Sequence, residues 1–240
     1  MEELMRKTRP LILCVLLSCC ILTGCGISAA PADTNAATVQ PTIEPTAEPE
    51  AVTGGWTVNE GALPIEENPE VLDMYNSLPV KEDYEPIALL GTQVVDGTNY
   101  SILVKRLASA PDAAPPFGIM TIYQDLDGNA DIVSVTSIHG LDDSKITFTE
   151  DWNTETTDDA LTAMNAFGNA TAEVTDVNYE PIAYVGQFDK ETSTQYYFVC
   201  RVTPVKPDAV SHIALVVIIQ TGDGNAEIAM DGTVEISLGE

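Results

Sequence analysis

The sequence YEPIA at residues 84–88 returns at residues 179–183, which is 95 positions further along the chain. A second pair of stretches keeps nearly the same distance, because DGNADI at residues 127–132 is matched by DGNAEI at residues 223–228, 96 positions on. Matches at a nearly constant separation indicate an internal repeat. The separation is the length of a domain rather than of a solenoid unit, so the sequence predicts two tandem copies of one domain.

The two tryptophans agree with this division, because Trp56 and Trp152 are also 96 positions apart. We expect both of them to have a packing role. The first domain is therefore predicted at residues 54–140 and the second at residues 141–240.

Each copy is expected to begin with one helix. In the first copy Asn68 is a candidate N-cap and Pro69 suits the first turn, while Pro79 should interrupt the helix. In the second copy Thr157 is the candidate cap. Apolar residues share a face after each cap, namely Val71, Tyr75 and Leu78 in the first copy and Leu161, Met164 and Phe167 in the second.

Four strands are predicted after each helix, from apolar and β-branched runs bounded by turn residues. The segments are 86–95, 100–107, 118–125 and 132–138 in the first copy, and 182–188, 196–202, 212–220 and 226–238 in the second. One helix followed by antiparallel strands predicts an α+β fold, in which each sheet buries one face on its helix.

The N-terminus predicts export. A basic segment with Arg6, Lys7 and Arg9 precedes an apolar stretch at residues 11–23, which is too short to span a bilayer. The stretch ends in Leu22-Thr23-Gly24-Cys25, which resembles the lipobox of bacterial lipoproteins. The alternative is an ordinary signal peptide with an incidental cysteine.

The lipobox resemblance implies that residues 1–24 are a signal peptide and that the chain is cut before Cys25. It also implies diacylglycerol on the Cys25 sulfur and a further acyl chain, such as palmitate, on the new amino group. Several acyl chains are needed for stable anchoring, since each buried methylene contributes only about 0.8 kcal/mol. We therefore expect a lipid-anchored protein on the outer, extracytoplasmic face of a cell membrane.

Residues 25–53 are predicted to be a disordered linker, because they are rich in Ala, Pro, Thr and Glu and cannot form a core. Beyond the leader the chain keeps 7 basic and 35 acidic residues, a net charge of −28. Such a charge predicts that nucleic acid is not a partner. Only Cys200 lies beyond Cys25, so an intramolecular disulfide and a thiolate metal site are excluded from that region.

Residues 93–100 read QVVDGTNY, which resembles the Q-x-V-x-G-T-N-Y run of the cystatins and stefins. That family places the run in its first binding hairpin. Gly54 and Gly55 resemble the glycine of its N-terminal trunk, and Leu126 follows a stretch similar to the strand before its second hairpin. The resemblance implies two tandem cystatin-like domains, each with one helix packed on a curved antiparallel sheet.

The resemblance implies inhibition of papain-like cysteine proteases by a wedge that fills the cleft without presenting a scissile bond. The implied protease-binding residues are Gly54, Gly55, Gln93, Val94, Val95, Asp96, Gly97 and Leu126. Gly97 is expected to adopt a positive φ, which permits a tight turn. The alternatives are a hairpin that only shapes the sheet, and a non-catalytic ligand-binding or adhesion module.

Two features depart from the family pattern. Asp96 stands where the family has alanine, and the turn at Leu126 lacks the apolar pair of the second hairpin. The second copy, at Gly186 to Glu191, keeps Gln187 but has no hairpin glycine, so no inhibitory residues are assigned to it.

No catalytic residues, metal site or cofactor are predicted, and the protein is not expected to be an enzyme. The acidic residues at 125–131 alternate as in calcium loops, but Gly128 is not at the EF-hand position and a turn is the favoured interpretation. His139 and His212 are isolated in the sequence. Cys200 is expected to be a buried, inert thiol.

Overall fold

A computed structural model describes residues 54–107, 115–141, 144–153 and 157–239. The predicted signal peptide, the predicted linker and Cys25 lie outside the described residues. Within the described part of the chain, neither helix is long and apolar enough to cross a membrane.

The first repeat forms a five-stranded antiparallel sheet, which we call the first sheet. Its strands lie in sequential order and are β1 (Trp56–Val58), β2 (Tyr84–Val95), β3 (Gly97–Arg106), β4 (Phe117–Gln124) and β5 (Ala130–Ser137). A helix, α1 (Pro69–Asn76), lies between β1 and β2 in the chain. Short 3-10 turns at Ile65–Glu67 and Pro79–Glu82 flank this helix.

The second repeat forms a matching sheet, which we call the second sheet. Its strands are β6 (Thr147–Phe148), β7 (Val177–Asp189), β8 (Ser193–Pro204), β9 (His212–Thr221) and β10 (Ala226–Glu235), again in sequential order. The helix α2 (Asp158–Thr171) precedes β7. The pairing register slips just after Pro86 in β2 and just after Pro181 in β7, so the same irregularity bends both long strands.

Both faces of each sheet are buried. Ile102 and Leu103 are neighbours in β3 and point to opposite faces, yet neither is exposed to solvent. Ile102 packs with α1, whereas Leu103 packs in a core that contains residues of both sheets. In β8, Phe198 packs with α2 and Val199 lies in the shared core. The two sheets therefore stack face to face between the two helices.

The fold class predicted from the sequence is wrong. Two α+β cystatin-like domains, each with one helix on its own sheet, do not describe the chain. The described residues are mostly β, with two five-stranded antiparallel sheets and only two helices. The physical reason is that runs such as ILV at residues 102–104 are apolar on both sides of a strand, so each sheet needs a second cover.

The helices differ from the prediction in their details. The Asn68 side chain donates to the carbonyl oxygens of Ala62 and Pro64, at 2.9 Å each, and does not cap α1. Thr157 does cap α2, because its hydroxyl accepts from the Ala160 amide at 3.1 Å. Leu161 is 46% exposed, and the buried face of α2 consists instead of Ala160, Ala163, Ala166 and Phe167.

The two repeats exchange polar contacts in a two-fold manner. Arg201 donates through one guanidinium nitrogen to the carbonyl oxygens of Asn59 (2.6 Å) and Gly61 (3.0 Å), just after β1. In the other direction, Lys105 donates to the Glu150 carbonyl oxygen, just after β6. Arg201 is also paired with Glu180 at 2.6 Å.

The segment that follows the last strand of each repeat crosses to the other sheet. Ile236 and Leu238 follow β10, and both are buried in the shared core. Leu238 packs against Gly91 of β2, where a Cβ would come within 2.8 Å of the leucine side chain. After β5, Gly140 lies against Leu215 of β9, where a Cβ would come within 3.0 Å of the leucine side chain. Each repeat therefore completes the core of the other.

The two tryptophans do not occupy equivalent positions. Trp56 lies in β1 opposite Gln93. Trp152 lies four residues beyond the end of β6, where its backbone oxygen accepts from the Tyr184 amide and its indole nitrogen donates to Glu85. Their separation of 96 residues is therefore not a landmark of the repeat, although both pack against the shared core.

Candidate protein-binding edge

The hairpin between β2 and β3 projects Asp96 at its tip. Val95 and Gly97 are the last paired residues of the two strands, so Asp96 alone forms the turn. Gly97 has φ +125°, which confirms the positive φ predicted for it. A Cβ at Gly97 would come within 2.3 Å of the Gln124 carbonyl oxygen. Glycine is therefore required here both by its backbone conformation and by the neighbouring strand.

Gln93 ties the segment before β1 to this hairpin. Its amide nitrogen donates to the Gly54 carbonyl oxygen at 3.0 Å, and its amide oxygen accepts from Asn99 at 2.6 Å. The Gly54 amide in turn donates to the carbonyl oxygen of Val94 at 3.0 Å. Gly55 follows Gly54 directly and leads into β1. The conformation of residues 54–56 is thus fixed against the hairpin.

Tyr123 holds the tip from the other side. Its hydroxyl donates to the Asp96 carbonyl oxygen across the mouth of the hairpin. Neither Asn99 nor Tyr123 is among the residues predicted from the sequence to contribute to this site. The register shows why they matter, because Asn99 pairs with both Gln93 and Tyr123 as a cross-strand neighbour.

The turn between β4 and β5 is a closed polar turn. The Asp125 carboxylate accepts from the amides of Asp127 and Asn129 at 2.9 and 2.8 Å, and from the Asn129 side chain at 2.8 Å. These hydrogen bonds, with that of the Asn129 side chain largest, lower the pKa of Asp125. The described residues contain no group of three or more His, Cys, Asp or Glu side chains that could hold a metal ion.

The segments lie together at one end of the first sheet. Thr98, directly after the hairpin, pairs with Gln124 at the start of the β4–β5 turn, and Gly54 lies beside Val94. We call this surface the tip edge, defined as residues 54–55, 94–97 and 125–129. Its exposed apolar side chains are Val94 (40%), Val95 (38%) and Leu126 (82%). All assigned residues except Gln93 therefore lie in the tip edge, and Gln93 lies directly beside it, bonded to Gly54.

The second repeat has a different edge. Its hairpin runs from Asp189 to Ser193 and closes with a hydrogen bond of 2.8 Å from the Lys190 amide to the Ser193 carbonyl oxygen. Two ammonium groups, of Lys145 and Lys190, lie 5.5 and 5.3 Å from the centre of the Phe188 ring. This hairpin is wider, glycine-free and partly basic, so it shares neither the shape nor the charge of the tip edge.

Cys200 is a free cysteine that lies fully buried in β8. Burial, with a smaller contribution from Glu180, raises the pKa of its thiol. The predicted burial of Cys200 is confirmed, and a buried thiol with a raised pKa is expected to react slowly in the folded protein.

Comparison with protein-family models gives no match. Comparison with curated proteins gives none either. Function is therefore inferred from the geometry and charge of the described residues.

Proposed function

We propose that this protein is a lipid-anchored, non-catalytic binding protein on the outer face of a membrane, and that its tip edge blocks the cleft of a papain-like cysteine protease. The observation that carries the proposal is the alignment of Gly54, the β2–β3 hairpin and the β4–β5 turn along one end of one sheet. A protease cleft is filled by one continuous surface, so segments that lay apart on the protein would not block it.

The rigidity of the tip edge supports this function. Gln93, Asn99 and Tyr123 fix the hairpin and its neighbouring segment through three side-chain hydrogen bonds. A preformed surface loses little conformational entropy when it binds, so more of the contact energy is retained as affinity. The tip edge would fill the protease cleft without placing an extended peptide in it, so the protein should not be cleaved there.

The charge of the tip edge limits the expected affinity. Apolar contact is supplied by Val94, Val95 and Leu126. Asp96, however, places a negative charge at the tip of the hairpin. A carboxylate that enters a cleft loses its hydration unless a donor replaces it. We therefore expect binding in the micromolar range rather than the tight inhibition implied by the unmodified family motif.

The same charges favour a second candidate function. Asp96, Asp125 and Asp127 all lie at the tip edge, and a basic protein surface would pair with them without having a cleft. In that case the protein is a non-inhibitory binding or adhesion module. Inhibition and simple binding are distinguished by whether the partner loses its activity.

Inhibition is expected when the full chain is titrated against papain and related proteases with a fluorogenic substrate. Gly97→Glu should abolish it, because a residue with a Cβ at this φ is strained by about 1–2 kcal/mol and collides with Gln124. Asp96→Ala should strengthen it several-fold. Leu126→Asp, at an exposed position, should weaken it without changing stability.

The matched control is Gly224→Glu in the second repeat, where a Cβ has open space despite a φ of +87°. This variant should inhibit like the unchanged protein. If a folded chain gives no inhibition at 10 μM (roughly −7 kcal/mol of binding free energy) across the panel, the proposal fails and the binding-module function is favoured.

Lipid attachment at Cys25 is expected to retain the protein in the membrane fraction. Cys25→Ala should prevent both the cleavage and the modification, so that the chain keeps its leader or is released. Phase separation in detergent and mass spectrometry of the N-terminal peptide measure the two effects. An unmodified N-terminus at another residue would contradict the assignment.

A further inference from the structure

A cavity of about 490 Å³ lies at the seam between the two sheets, beside β1. Its wall includes Trp56 and Val58 of β1, Ser211 and His212 at the start of β9, and Glu235 and Leu238 at the end of the chain. The volume is within the range of small-molecule sites. None of the residues that line the cavity belongs to the tip edge, although Trp56 directly follows Gly55 in the chain.

Trp56 is positioned as a rigid aromatic wall. The edge of its indole packs against the backbone of Gly239, where a Cβ would lie only 2.5 Å from the ring. Its backbone is paired with Gln93 on the other side. Trp56 is partly buried and is one of the residues that line the cavity.

One carboxylate lines the cavity, and a second is hydrogen-bonded to a residue that lines it. Glu235 lines the cavity, and Glu60 accepts a hydrogen bond of 3.1 Å from the buried hydroxyl of Ser211. Neither carboxylate has a lysine or arginine partner among the residues that the structure describes. Within that same part of the chain, no lysine or arginine lines the cavity. The guanidinium of Arg201 lies near the backbone of Glu60, because it donates to the carbonyl oxygens of Asn59 and Gly61, so the unpaired negative charge at the cavity is mainly that of Glu235.

We propose that this cavity binds a small organic cation, namely an ammonium group that carries methyl or methylene groups. An ammonium group is attracted to the face of an indole, and most strongly to tryptophan among the aromatic residues. The carboxylates of Glu60 and Glu235 complete its charge balance, while Val58 and Leu238 contact its apolar substituents. The net charge of −28 beyond the leader draws cations toward the protein.

Choline and its uncharged isostere 3,3-dimethyl-1-butanol test the role of charge, because the two molecules have nearly the same shape. The full chain with Trp152→Phe leaves Trp56 as the single tryptophan, so its fluorescence reports on the cavity. Each probe is titrated at constant ionic strength. We expect a saturable change with choline, half complete at or below about 5 mM, the weak end of ligand affinities. The isostere should bind at least tenfold more weakly.

Matched variants locate the site. Glu235→Gln and Glu60→Gln should each weaken choline binding at least threefold, and the double variant at least tenfold. Glu227→Gln lies on the same strand, β10, but outside the cavity, and should have no effect. Both cavity glutamates are exposed, so these variants should unfold at the same urea concentration as the unchanged protein.

Three results would each overturn the proposal. The first is quenching that rises linearly with choline and never saturates. The second is equal half-saturation for choline and the isostere, which would show a merely apolar cavity. The third is a folded double variant that binds choline as tightly as the unchanged chain, which would place the cation elsewhere.

Discussion

Ending the chain at Glu235 is expected to remove about 4–8 kcal/mol of unfolding free energy, because it deletes two core side chains. Ile236 and Leu238 are only 7% and 8% exposed, and both lie in the core between the sheets. Losing each is comparable to a large-to-small core substitution. A domain of ordinary stability has only about 5–15 kcal/mol in total. The truncated chain should therefore lose a large part of its stability and unfold at a much lower urea concentration.

Urea unfolding monitored by circular dichroism measures this effect. The matched control ends at Gly239 and loses only Glu240, so the packing of Leu238 is retained. We expect the control to unfold at the same urea concentration as the complete chain. A truncated chain of unchanged stability would contradict the interlocked core.

Leu103→Ala is expected to destabilise the second repeat as well as the first, in which the substitution lies. Leu103 is fully buried in the core between the sheets, so its truncation should lower the unfolding free energy by about 2–5 kcal/mol. Cys200 lies in the second sheet, on the side of α2, and its thiol is shielded in the folded state. A substitution in the first sheet should thus expose a thiol in the second.

The reaction of Cys200 with a thiol reagent in increasing urea reports this coupling. In a chain that starts at residue 26, Cys200 is the only cysteine, so the signal is unambiguous. Leu161→Ala is the control, because that side chain is 46% exposed on α2 and its truncation changes little packing. Two separate unfolding transitions, with Cys200 protected in the Leu103 variant, would show that the repeats are independent.

The local structure was largely predictable from the sequence. The apolar runs at 86–95 and 182–188 predicted most of β2 and β7, and the residues at 127–129 predicted the turn between β4 and β5. The tip of the first hairpin was predictable because only glycine suits the conformation at Gly97. These features depend on residues close together in the chain, whose preferences act locally.

The assembly of the sheets was not predicted, because it depends on contacts between distant residues. Continuous apolar runs such as 214–219 in β9 indicate a strand covered on both faces, and that signal was present. It did not specify what the second cover is. The strands β1 and β6 have three and two residues, which is too short for a periodic pattern. The small alanine face of α2 was missed because Leu161 appeared the better core residue.

The segments that follow β5 and β10 cross between the sheets, and this crossing also affects the order in which the protein can fold. Leu238 packs on Gly91, a residue made on the order of 150 positions earlier, so that contact forms only after both repeats have been synthesised. During synthesis the first repeat has its strands but lacks part of its cover. We therefore expect the core to close only after the segment that follows β10 has been made, and to close slowly because these contacts are distant in sequence. Late closure of the core would leave such a chain unfolded while it passed through a translocation channel, as the proposed export requires.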